Sequence, residues 1–104
     1  MTTTNEGGFS MKAGEFLKSL TNNPFIEYNG IYTSLEGRLV PFTTAKPDRE
    51  NNLIFFRQNR KSPLSVKNLH SILLLHQNKT LYFWNGGSKI KIYRYIINDK
   101  KIIV

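Results

Sequence analysis

The hydrophobic positions of this chain change period several times, and each change marks an element. From Ser10, the stretch MKAGEFLKSL places Ala13, Phe16, Leu17 and Leu20 at helical spacing, with Lys12, Glu15, Lys18 and Ser19 on the remaining positions. A short amphipathic helix with Ser10 as N-cap is expected, stopped by Thr21-Asn22-Asn23-Pro24. Two β-prone runs follow over residues 25–28 and 31–34, around Asn29-Gly30, a pair suited to the positive φ angles of a type I′ hairpin. After a turn at Glu36-Gly37, Arg38 to Phe42 reads as a strand that Pro41 confines to an edge or a strand end. The polar stretch TTAKPDRENN, residues 43–52, reads as a loop.

Leu53-Ile54-Phe55-Phe56 is apolar without interruption and predicts a strand covered on both faces. A basic loop, RQNRKS, leads to a second helix capped by Ser62 or Ser65, in which Val66, Leu69, Ile72, Leu73 and His76 keep a helical period. Leu74 and Leu75 broaden its apolar face, so this helix is expected to be the better buried of the two. Strands over 80–84, 89–97 and 101–104 come next, joined by Asn85-Gly86-Gly87-Ser88 and Asn98-Asp99-Lys100. Connections this short imply an antiparallel meander. The chain shows no internal repeat and no low-complexity linker. The order αβββαβββ therefore predicts an α+β domain over residues 10–104. Its helices would pack on one face of a curved antiparallel sheet of five to six strands, and residues 1–9 would form a disordered polar leader. Ile102-Ile103-Val104 would leave an edge able to pair with a second copy as a homodimer.

Composition narrows the chemistry. At 104 residues and 12.1 kDa the chain suits one domain, and its seven Phe, five Tyr and one Trp supply the large side chains that a small core needs. With no cysteine, disulfides, thiolate metal sites and cysteine nucleophiles are excluded, and a cytoplasmic setting is expected. No apolar run is long enough to cross a bilayer, and the start MTTTNEGGFS has no signal-peptide character, so no membrane partner is expected.

The net charge of +8 is unevenly placed. Residues 1–50 carry five cations against six carboxylates, whereas residues 51–104 carry ten cations against Asp99 alone. A positive field confined to one half attracts a polyanion or an acidic protein, although scattered solubilising lysines would give the same total.

The clearest pattern in that half is the alternation of Lys89, Lys91, Tyr93 and Tyr95 on one side of a strand, with Ile90, Ile92 and Ile96 on the other beside Arg94. Ammonium groups neutralise phosphates and flat rings stack on bases, a combination suited to single-stranded nucleic acid. Trp84 or Tyr82 on the preceding strand would extend the platform. Lysine and tyrosine are also ordinary solvent-facing strand residues. Arg57, Arg60 and Lys61, beside a helix start and near Lys67, could add a phosphate contact.

Other chemistries find little footing. His70 and His76 lie six residues apart and cannot share a helix face, and no carboxylate cluster accompanies them, so no metal, cofactor or catalytic residue is assigned. The glycine pairs Gly7-Gly8 and Gly86-Gly87 match neither a phosphate loop nor a dinucleotide fingerprint. The last hairpin, YRYIINDKKIIV, is loosely similar to the closing strands of small basic messenger-cleaving toxins. That similarity implies a metal-independent ribonuclease working through Lys, Arg, His and Tyr. The leading expectation is a small, basic, non-enzymatic protein that binds RNA or single-stranded DNA. The alternative is a regulator or inhibitor of phage or mobile-element type, docking an acidic protein, in keeping with the Asn, Lys and Ile content of AT-rich genomes.

Overall fold

The computed structural model describes residues 10–22 and 27–104, so the expected leader at 1–9 and the start of the run at 25–28 lie outside the described residues. Helix α1 (Ala13–Thr21) is followed by β1 (Ile31–Leu35), β2 (Arg38–Pro41), β3 (Thr44–Pro47) and β4 (Asn52–Phe56). Helix α2 (Val66–Leu75) is followed by β5 (Thr80–Asn85), β6 (Ser88–Lys91), β7 (Ile96–Asn98) and β8 (Lys101–Ile103). The class is α+β, as the alternation of periods predicts. The strands divide into two mixed sheets, a first with order β2-β1-β8-β7 and a second with order β3-β4-β5-β6.

Two corners produce this division. After β2 the chain turns at Phe42 and enters the second sheet as β3; after β6 it turns at Ile92 and crosses to the first sheet as β7. Each corner is anchored by the same bond: Phe42 N–H donates to the Ile31 carbonyl at 2.9 Å, and Ile92 N–H to the Leu81 carbonyl at 3.0 Å. The last strand of each half then pairs in parallel with the first strand of the other, placing Leu53 opposite Leu81 and Ile102 opposite Ile31. The backbone thus repeats, αββββ twice, about an approximate two-fold. A shift of 50 positions carries Ile31-Tyr32 onto Leu81-Tyr82, Gly37 onto Gly87 and Phe42 onto Ile92. The repeat escapes the sequence because most paired positions share a burial state and not a residue type.

Several local expectations change for physical reasons. No tight hairpin forms at Asn29-Gly30; Asn29 N–H donates to the Lys100 carbonyl at 2.7 Å and the Gly30 carbonyl accepts from Ile102 at 3.1 Å, so this segment pairs with the C-terminal strand instead. That makes β8 an inner strand between β1 and β7, and the edge expected at Ile102-Ile103-Val104 is already filled. The single long strand 89–97 is broken at its corner, which leaves Ile96 57% exposed in place of its expected core position. TTAKPDRENN contains β3, an edge strand whose polar side faces solvent.

Helix α1 starts at Ala13, without a Ser10 cap. The N–H groups of Ala13 and Gly14 donate to the carbonyls of Lys79 and Gln77, both at 2.9 Å, and Glu15 Oε1 accepts from Lys12 N–H at 2.8 Å. Ser65 caps α2 by accepting from Asn68 N–H at 3.1 Å. The buried face of α2 is narrower than its composition suggests: Leu69 and Leu73 are buried, while Leu74 and Leu75 are exposed.

One core joins these layers. Phe16 and Leu20 of α1 and Leu69 and Leu73 of α2 cover Ile31, Leu53, Phe55, Leu81 and Ile102. Phe42 at its corner stands 6.0 Å from the Phe55 ring and 5.6 Å from the Phe83 ring, bridging the two sheets. Truncation to Phe42→Ala is expected to cost about 3 to 5 kcal/mol in urea unfolding; a cost under about 1 kcal/mol would deny this corner its role.

The β3–β4 turn carries an acid-sensitive lock. Asp48 Oδ1 accepts from the N–H groups of Glu50 and Asn52 at 2.8 and 2.9 Å, and Oδ2 from Asn52 Nδ2 at 3.0 Å. These bonds, the Asn52 side chain foremost, hold its carboxyl below the ordinary aspartate range. The contribution is therefore complete above the unfolded value near pH 4 and is lost as pH falls through the lower folded value. Between about pH 5 and pH 2, wild type should lose more stability than Asp48→Asn; identical acid profiles by circular dichroism would contradict this.

Candidate nucleic-acid interface

Period-2 alternation decides what the second sheet shows to solvent. On β5, Leu81 and Phe83 point into the core, so Tyr82 and Trp84 point outward, and the antiparallel register sets Lys91 beside Tyr82 and Lys89 beside Trp84. The same register extended through β4 and β3 gives a row across all four strands, Lys46–Ile54–Tyr82–Lys91. Ile54 on this outer face is only 9% exposed, covered by its neighbours.

Cations converge on one ring here. The ammonium groups of Lys89 and Lys91 stand 5.0 and 6.0 Å from the centroid of the Tyr82 ring. Their charge is not wholly free. Lys89 Nζ also lies 3.8 Å from Asp48 Oδ2 and 3.7 Å from Glu50 Oε1, so carboxylates of the first half partly neutralise it. Among the described residues, neither Lys46 nor Lys91 forms such a pair.

The other expected site residues divide. Trp84, 43% exposed, adjoins Lys89 and also lines a cleft of about 350 Å³ between the two sheets, whose lining includes Arg57. Tyr93 and Tyr95 leave the platform because the strand breaks at the corner. Tyr93 is exposed in the connection to β7. Tyr95 packs edge-on against Phe16 at 5.0 Å, with its hydroxyl bonded to Ser19 Oγ of α1. Arg60 and Lys61 are exposed on the β4–α2 connection and Lys67 on the first turn of α2, and none has a register position on the sheet face. At the start of α2, one backbone donor that an anion would use is already taken by Ser65. Sequence reasoning missed Lys46, although the alternation of Thr44, Ala45 and Lys46 is a strand signal hidden among polar residues.

The two-fold supplies an internal comparison. On the first sheet the equivalent row is Ile96–Ile103–Tyr32–Pro41, and the equivalents of Trp84 and Lys89 are Ser34 and Leu39. The tyrosine recurs at the same place, here with Lys101 Nζ at 5.8 Å from its ring. Every flanking position that is cationic or a large aromatic on the second sheet is aliphatic or small on the first.

Acid–base machinery does not gather beside this face. His70 lies within α2, where its Nε2 is buried without a hydrogen-bond partner among the described residues, and His76 caps the end of that helix. The Tyr28 hydroxyl, which donates to the Leu20 carbonyl at 3.4 Å, is pushed above the ordinary tyrosine range by burial and then by Tyr95. Among the described residues, no three His, Asp or Glu side chains gather as a metal site, and no helix is long and apolar enough to cross a membrane. Comparison with protein-family models, curated proteins and solved structures returns no match for this chain.

Proposed function

We propose that this protein binds single-stranded RNA or DNA, without catalysis, on the outer face of its second sheet. Lys46 and Lys91 are three strand spacings apart, about 14 Å, and would meet phosphates about two nucleotides apart along an extended strand. Tyr82 and Trp84 between them would offer ring faces to bases. Lys89, held by Asp48 and Glu50, would contribute a weakened charge. The observation that carries this reading is the contrast across the two-fold. The fold accepts Ile, Pro, Ser and Leu at the equivalent positions, so packing does not require Lys46, Lys91, Trp84 and Lys89 where they stand.

A second reading, docking of an acidic protein, draws on the exposed Leu39 and Ile96 of the first sheet, which a nucleic acid would not use. In that case one stoichiometric protein should remain bound after nuclease treatment and be released by Leu39→Ser combined with Ile96→Ser.

For the leading reading, affinity for a labelled single strand should fall with salt at about 0.7 logarithmic units per phosphate contacted, a slope of roughly 1.4 to 2 for the two to three lysines of this face. Lys46→Glu combined with Lys91→Glu should weaken binding at least about tenfold with an unchanged thermal midpoint. Binding that ignores both changes, or that is no better than binding to heparin, would refute the assignment. Glu50→Gln releases one competitor for Lys89 and should strengthen binding about two- to fivefold, the scale of an exposed ion pair; weaker binding would contradict the electrostatic account.

A further inference from the structure

The cleft between the sheets is a breach of the two-fold. Thr33 occupies the position that Phe83 holds in the other half; both point inward and both are buried, at 6% and 7% exposure. Phe83 fills its side with an aromatic ring in contact with Phe42, whereas Thr33 leaves open the space of about 350 Å³ that Val40 and Phe42 help to line. That volume is at the lower end of small-molecule sites, roughly 300 to 1,000 Å³.

We infer that this cleft takes one unstacked base of the bound strand, an inference that rests on the single-strand reading of the adjoining face. The lining has the parts a nucleotide needs. Val40 and Phe42 give an apolar floor, and Trp84 gives an aromatic wall. The Asn85 amide offers donors and an acceptor to a base edge. Thr33 Oγ1 donates to the Val104 carbonyl at 3.3 Å and so keeps its lone pairs to accept. Arg57, a lining residue with no carboxylate partner among the described residues, supplies the cation for the attached phosphate. Trp84 belongs to both surfaces, so a strand lying on Tyr82 and Lys89 reaches the cleft without a gap. An acidic peptide would satisfy Arg57, and would engage the floor and the aromatic wall only if it carried an aromatic or aliphatic side chain beside its carboxylate.

Trp84 is the sole tryptophan, so its fluorescence reports the cleft directly. Wild type, Thr33→Phe, Val40→Phe and Arg57→Ala are titrated with a single-stranded oligonucleotide across a salt series, with thermal midpoints recorded. Thr33→Phe installs the residue the other half already carries, and Val40→Phe fills the same space should the first variant not fold. A filled cleft is expected to lower affinity roughly tenfold or more, to leave the salt slope unchanged and to abolish part of the Trp84 quenching. Arg57→Ala is expected to reduce the slope by about 0.7. Unchanged affinity and quenching in a folded, filled variant would overturn the cleft assignment while the face reading stands. Wild type that binds no single strand would overturn both. Stronger quenching by an acidic, tyrosine-containing peptide than by the oligonucleotide would also overturn it, in favour of a protein ligand.

Discussion

The parallel pairing of each half's last strand with the other half's first strand is the constraint from which the rest of the molecule follows. Ile102 beside Ile31 and Leu53 beside Leu81 can form only if the chain leaves one sheet and enters the other twice, at Phe42 and at Ile92. Those corners set which side chains of β5 and β6 face solvent, bring Phe42 across to Phe55 and Phe83, and turn Tyr95 toward α1. Such pairing is long-range, so its loop-closure cost is offset only when the whole core assembles.

Given that scaffold, the two outer faces separate what packing demands from what it leaves free. A tyrosine at the centre of each row, with an isoleucine beside it, recurs in both halves, and each ring has a lysine over it. These recurring residues belong to the fold. The flanks differ in charge and size, and the interior differs at Thr33 against Phe83; these departures lie together at the second sheet and the adjoining cleft. A surface that one copy of a repeat carries and the other lacks is not demanded by packing, since both copies solve the same packing problem, and this is the ground on which a ligand is proposed for it. The pairing of Lys89 with Asp48 and Glu50 tempers the field, so the proposed attraction of a polyanion would depend chiefly on Lys46, Lys91 and Arg57.

Where structure is set by near neighbours, it was legible in the residues. Ser65 caps α2 because its hydroxyl needs only Asn68, and the alternation of Lys89, Ile90, Lys91 and Ile92 assigns their faces because the pleat has period two. Beyond Ile92 the alternation continues in Tyr93, Arg94 and Tyr95 although the strand does not, since the break is imposed by partners in the other sheet. The Asn29-Gly30 turn failed for the same reason: its backbone groups found β8 instead. Lys46 was hidden because an exposed edge strand has the composition of a loop. The cleft was invisible because Thr33 gains meaning only when the two-fold sets it against Phe83.

The most direct measurement is a residue-resolved amide titration of isotope-labelled protein with a single-stranded oligonucleotide. Shifts concentrated at Lys46, Tyr82, Trp84, Lys89 and Lys91, with Tyr32, Ile96 and Ile103 undisturbed, are the expected result. Shifts confined to the first sheet or to α2, or no shifts at low salt, would contradict the assignment of the second sheet as the binding face.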